Sequence, residues 1–67
     1  MINRGVNIRV KLLRADKTQL WLINELGKRD IHTDKTELSS ILSGRRTGKK
    51  AETILDESEA ILRGQLW

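Results

Sequence analysis

The chain has no cysteine, no proline, no tyrosine and no phenylalanine, and only one histidine among its 67 residues. Each absence excludes something. Without cysteine there is no disulfide staple and no thiolate metal site, so the core must hold by burial alone. A lone histidine gives no basis for a structural zinc site. The missing proline, with an apolar set drawn mainly from leucine and isoleucine, favours helices over a turn-rich sheet. No run approaches the roughly 20 apolar residues of a membrane span, and no signal-peptide pattern opens the chain. A cytoplasmic protein with no membrane partner is therefore expected. Two tryptophans are the only aromatics, which is too few for the stacking platforms of single-stranded RNA binders. A chain this short buries only about 60% of its unfolded surface. The expectation is one domain over 1–67, not an enzyme, with no cofactor, no metal and no catalytic residues.

What is present is charge, unevenly placed. The net charge is +4. Residues 1–50 carry twelve of the thirteen Lys and Arg against five acids, a net of +7. Residues 51–67 carry Arg63 against Glu52, Asp56, Glu57 and Glu59, a net of −3. A basic body with an acidic last segment points to one surface facing a polyanion and another facing elsewhere.

The apolar pattern divides the chain into four helical segments. Residues 1–5 read as a flexible arm. Val6, Ile8, Val10 and Leu12 alternate as in a strand, while Val6, Val10 and Leu13 fit one helical stripe. No second strand pattern exists to pair with, so a helix over about 6–15 is predicted. Asp16-Lys17-Thr18 is a helix-start signal. The segment Gln19 to Lys28 then sets Leu22, Ile23 and Leu26 at helical spacing, with Gly27 placed to close it in a left-handed conformation. Arg29 to Thr33 reads as a connector. Asp34, followed three residues on by Glu37, has capping-box spacing. The helix it starts turns Leu38, Ile41 and Leu42 inward and stops near Ser43-Gly44. The last helix, about Lys49 to Gln65, has the stripe Ala51, Ile54, Leu55, Ser58, Ile61, Leu62 and Leu66, with Glu52, Asp56, Glu59 and Arg63 opposite.

The stretch Leu38-Ser39-Ser40-Ile41-Leu42-Ser43-Gly44-Arg45-Arg46, continued by Thr47-Gly48-Lys49-Lys50, has no acid between Glu37 and Glu52. Together with Thr18-Gln19, Leu22 and Leu26-Gly27 upstream, it resembles the phage repressor and Cro-type (XRE-like) helix-turn-helix domains. The family pattern is Thr-Gln, two residues, then Leu, a Gly at the turn, and Ile-Ser-x-Ile-x-x-Gly-x-Arg in the recognition helix. The resemblance covers about residues 6–62. It implies an all-α domain of four helices, or five, of the lambda-repressor-like fold. Two departures stand out. The connector 28–33 makes the turn between helices 2 and 3 about five residues longer than usual. Ile23 and Trp21 stand where the family commonly has a small residue and a polar one.

The resemblance also implies roles. The recognition helix, about 35–43, would enter the major groove of double-stranded DNA, with Lys35, Thr36, Ser39 and Ser40 facing base edges. Gln19 looks like the residue that bonds a backbone phosphate. Ser43, Arg45 and Arg46 match the phosphate-gripping positions, and Lys49 and Lys50 extend them. The implied function is transcriptional regulation by a prokaryotic repressor, from phage or chromosome, nucleoid-associated when bound. Such proteins usually act as two-fold pairs. The pairing expected here is a weak homodimer formed on DNA, using Leu66 and Trp67.

Plainer readings sit beside these. The basic loop fits a solvated surface; its glycine spacing rules against a phosphate-binding P-loop. Lys35 and Thr36 fit an exposed first turn. Glu37 is a better cap partner than a cytosine reader. His32 fits a surface loop, and Asp56 and Glu59 a solvated acidic face. Trp21 fits packing under the connector against Ile31, a partner interface, or stacking on the DNA backbone. The rival function is a helix-turn-helix-shaped protein-interaction module, an antirepressor or an inhibitor of a host protein.

Overall fold

The computed structural model describes residues 4–65. They form four α-helices and, among the described residues, no strand: α1 Arg4–Arg14, α2 Gln19–Lys28, α3 Lys35–Leu42 and α4 Lys49–Gln65. No helix among them is long and apolar enough to cross a membrane. The order and bounds of α2 to α4 agree with the sequence pattern. Both predicted starts are real caps. The Thr18 hydroxyl accepts from the Trp21 amide at 3.1 Å, and the Asp34 carboxylate accepts from the Glu37 amide at 2.7 Å. Each satisfies one donor that the first turn leaves open.

The helix ends depart from expectation. Gly27 lies inside α2, and the left-handed residue that closes the helix is Asp30, at φ 64°. The Asp30 amide donates to the Gly27 carbonyl and the Ile31 amide to the Leu26 carbonyl, the two bonds of a Schellman motif. The motif turns Ile31 back onto the core. Asp16, expected to help start α2, instead closes α1 at φ 58°, with Asp16 and Lys17 donating to Leu13 and Leu12. Gly44, at φ 85°, closes α3 by the same pair of bonds, from Gly44 to Ile41 and from Arg45 to Ser40. Aspartate is among the few side chains that tolerate this backbone region, so two of the three stops are written without glycine.

The largest correction concerns α1. Its buried face is Gly5, Ile8 and Leu12, not the stripe Val6, Val10 and Leu13. Val10 is 41% exposed and Leu13 81%. The helix also begins at Arg4, so residues 4 and 5 do not belong to an arm; residues 1–3 lie outside the described ones. The reason is backbone contact. A Cβ built on Gly5 would lie 1.9 Å from the carbonyl oxygen of Leu42. Only glycine permits α1 to rest this closely on the end of α3, and that approach selects which of two apolar stripes turns inward.

The core is one cluster. Ile8 and Leu12 of α1 meet Leu22 and Leu26 of α2, Leu38, Ile41 and Leu42 of α3, and Ala51, Ile54, Ile61 and Leu62 of α4. Trp21, Ile23, Ile31 and Leu55 pack against it, half-buried. α1 packs on α3 and α4, α2 packs on α3 and α4, and α3 also touches α4. Ser58 is the buried polar exception, fully enclosed with no protein partner for its hydroxyl.

Two substitutions test this packing. Gly5→Ala forces a backbone shift, and chemical denaturation should show a loss of about 2–3 kcal/mol, in the range of overpacked cores; an unchanged midpoint would show that α1 does not rest on Leu42. Ser58→Ala removes an unpaired buried hydroxyl, which typically costs about 1–3 kcal/mol. It should raise the melting temperature, and a lower one would mean that the hydroxyl is satisfied.

Candidate nucleic-acid interface

The three inward side chains of α3 determine what the helix shows to solvent. With Leu38, Ile41 and Leu42 buried, Lys35, Thr36 and Ser39 are exposed and Ser40 is half-buried. These four residues, with Arg45, line one shallow surface concavity. The expected base-reading set is thus brought together, and a long cation stands at its edge. The loop after α3 is folded back onto the helix end. The Ser40 carbonyl accepts from the Arg45 and Arg46 amides at 3.0 and 3.2 Å, and from the Ser43 hydroxyl at 3.0 Å. The Ser43 hydroxyl is therefore engaged within the chain.

The expected phosphate-binding cations fall into two groups. Arg45 and Lys49 are exposed and, among the described residues, make no ion pair; neither does Lys35. Arg46 and Lys50 are held. Both reach the carboxylate of Glu37, Arg46 at 2.9 Å and Lys50 at 3.1 Å. The Thr33 hydroxyl donates to the same carboxylate at 2.6 Å. The capping box expected at Asp34 is hence half made. Asp34 caps the Glu37 amide, but the Glu37 side chain turns away to tie the connector, the basic loop and the first turn of α4 together. Its side chain is only 16% exposed.

This environment changes the acidity of Glu37. The Thr33 hydrogen bond, then the Lys50 hydrogen bond, hold the carboxyl below its ordinary value of 4.5; the nearby Lys50 and Arg46 charges act in the same direction, against partial desolvation. A carboxyl depressed in the folded state adds stability above its unfolded value, and that stability is lost as the pH falls through the folded value.

Gln19 does not join the α3 concavity. It lies with Arg9, Leu12, Leu13 and Lys17 in a separate depression, its Oε1 enclosed without a partner. Trp21 is half-buried against the core, and the Lys17 ammonium stands 5.3 Å from its ring centroid. Packing accounts for most of its surface, and the cation covers part of the rest. Leu66 and Trp67 lie outside the described residues. His32 is 82% exposed, 3.4 Å from Asp30. No group of His, Cys, Asp or Glu that could hold a metal ion occurs among the described residues.

The acidic last helix also has a more specific role than expected. Arg4 bonds both Asp56 and Glu59, and Arg29 bonds Glu57 at 2.6 Å. Three of its four acids thus fasten α1 and the connector to α4 through surface ion pairs, with the Asp56 side chain still 69% exposed. No sequence pattern marks Thr33 or Arg4 for these roles. Arg4 meets acids 52 and 55 residues away, and Thr33 meets Glu37 only four residues on but from outside the helix, where helical spacing does not mark the pair. Glu37 was visible as a cap, but its cations lie 9 and 13 residues later.

No protein-family model, no curated protein and no solved structure gives a significant match to this chain.

Thermal melts of the wild type and Glu37→Gln across pH test the tie. The variant should melt lower at neutral pH, and the gap should close as the pH falls below about 4.5. A gap that stays constant into acid would show that the carboxylate charge adds nothing to stability.

Proposed function

We propose that this chain is a sequence-specific double-stranded DNA binder of the phage-repressor/Cro helix-turn-helix type, acting as a transcriptional regulator in a prokaryotic cytoplasm. One observation carries the reading. Lys35, Thr36, Ser39 and Ser40 share a concavity with Arg45 on the outer side of α3, and the buried Leu38, Ile41 and Leu42 keep them there. A groove-reading helix needs a short polar face held by a core on its other side. Lys35 can donate to guanine O6 and N7, and the Thr36 methyl can meet a thymine methyl. Arg45 and Lys49 supply phosphate contacts that set register without reading sequence.

The mechanism has no covalent step and uses no metal or cofactor. The basic side of the domain draws in the duplex, and α3 then settles into the major groove. The connector 29–34 sets how α3 is inclined to α2, so the docking angle is this chain's own. Pairing of two copies on half-sites roughly 34 Å apart would follow the usual geometry of such proteins, with a weak dimer formed on DNA.

A protein-interaction module remains the second reading, because Leu13 and Leu20 are 81% and 62% exposed. Trp21 supports it less than its sequence position suggested, since the ring packs inward.

Fluorescence anisotropy with duplex DNA separates the two. Lys35→Ala should cost about 1–3 kcal/mol at one base-pair position and relax preference there. Arg45→Ala should weaken preferred and random duplexes alike and flatten the log–log salt slope by about 0.9. Equal behaviour of the two variants on both duplexes would refute the assigned roles. No binding at about 50 mM salt would refute the reading itself.

A further inference from the structure

Two of the basic side chains nearest the proposed DNA face already have an anion. Arg46 and Lys50 point their charged ends at Glu37, at 2.9 and 3.1 Å, while their sequence neighbours Arg45 and Lys49, and Lys35 at the start of α3, have no ion pair among the described residues. The carboxylate is fixed from below by the Thr33 hydroxyl at 2.6 Å and is largely covered. The side chains of the two cations are not: Arg46 is 58% exposed and Lys50 61%. The anion is thus anchored and covered, while its cations keep most of their surface in solvent. Glu37, Arg46 and Lys50, with Ile41, Thr47 and Ala51, line a small depression of their own.

We propose that Glu37 is a built-in counter-ion. It occupies a phosphate-binding position formed by Arg46 and Lys50, and a DNA backbone phosphate must displace it. The inference rests on the duplex-binding reading above and adds a control to it. A cation in water gathers a diffuse atmosphere, and the DNA it neutralises releases condensed counterions to bulk, which is what makes affinity depend on salt. A tethered carboxylate competes for the same cation with a strength set by the fold. Exchange of one anion for the other costs affinity on any duplex, preferred or random, because phosphates carry no sequence. The effect is to lower binding everywhere while leaving base reading by α3 untouched. The charges facing the carboxylate are Arg46 from the loop and Lys50 from α4, with the neutral Thr33 hydroxyl from the connector.

The test uses the full chain and a fluorescent random-sequence duplex, at salt concentrations from about 50 to 200 mM. Four proteins are compared: wild type, Glu37→Gln, Arg46→Ala/Lys50→Ala, and the triple variant. Glu37→Gln should bind about 5- to 50-fold tighter than wild type, with a salt slope steeper by up to about 1.8, or 0.9 for each cation set free. It should do so while melting lower than wild type, a combination that a purely structural role does not produce. In the Arg46→Ala/Lys50→Ala background, adding Glu37→Gln should change affinity less than twofold. Weaker or unchanged binding by Glu37→Gln overturns the proposal, as does a gain of the same size when both cations are gone. Should Glu37→Gln fold poorly, the wild type reports the same exchange: the side-chain nitrogen resonances of Arg46 and Lys50 must shift on saturation with duplex, and unmoved signals overturn the proposal. If no protein in the set binds duplex at the lowest salt, the duplex-binding reading has failed and takes the counter-ion role with it. If all bind and only the Glu37 comparison fails, that reading stands and the counter-ion role alone is lost.

Discussion

Everything else in this domain depends on the burial of one side of α3. The helix has eight residues, well below the length at which a helix holds in water by itself. It exists because Leu38, Ile41 and Leu42 are enclosed by the other three helices, and because Asp34 closes its first turn. The contact of Gly5 with the Leu42 carbonyl extends the enclosure to the last turn. Loosening any of these contacts would release the outward residues together with the inward ones. The candidate site is hence not an addition to the fold. It is the outer side of the element whose inner side is the centre of the core.

Charge follows the same economy. The acids of α4 hold α1 and the connector in place through Arg4 and Arg29. Exposed ion pairs of this sort contribute little one by one, about 0–1 kcal/mol each, so their effect is mainly to orient. They also offset the negative charge of α4 without engaging the positive charge of the α3 side. Glu37 does the opposite on that side, where it tempers two cations and leaves three open. Net charge alone does not distinguish these arrangements, because it cannot say which charges are already matched.

Much of the fold was legible in the sequence. Thr18 and Asp34 announce their helices through residues three positions away, and such local relations survive folding. The triad at 38, 41 and 42 settled which side of α3 faces out, and with it the candidate readers. What was hidden was non-local. α1 carries two apolar stripes of similar quality, and only the approach of Gly5 to Leu42 decides between them. Asp16 and Asp30 looked like turn or cap residues, since aspartate usually serves there, and their left-handed conformation depends on where the preceding helix happens to stop. The role of Glu37 required knowing that the loop after Gly44 folds back beside the first turn of α3.

The central claim is that the outer side of α3 reads duplex sequence. Selection of random duplexes on the purified chain tests it most directly. The account predicts that a short motif is enriched over successive rounds, and that its enrichment disappears with Lys35→Ala. Recovery of duplexes with no common motif, or the same motif from Lys35→Ala as from wild type, would contradict it.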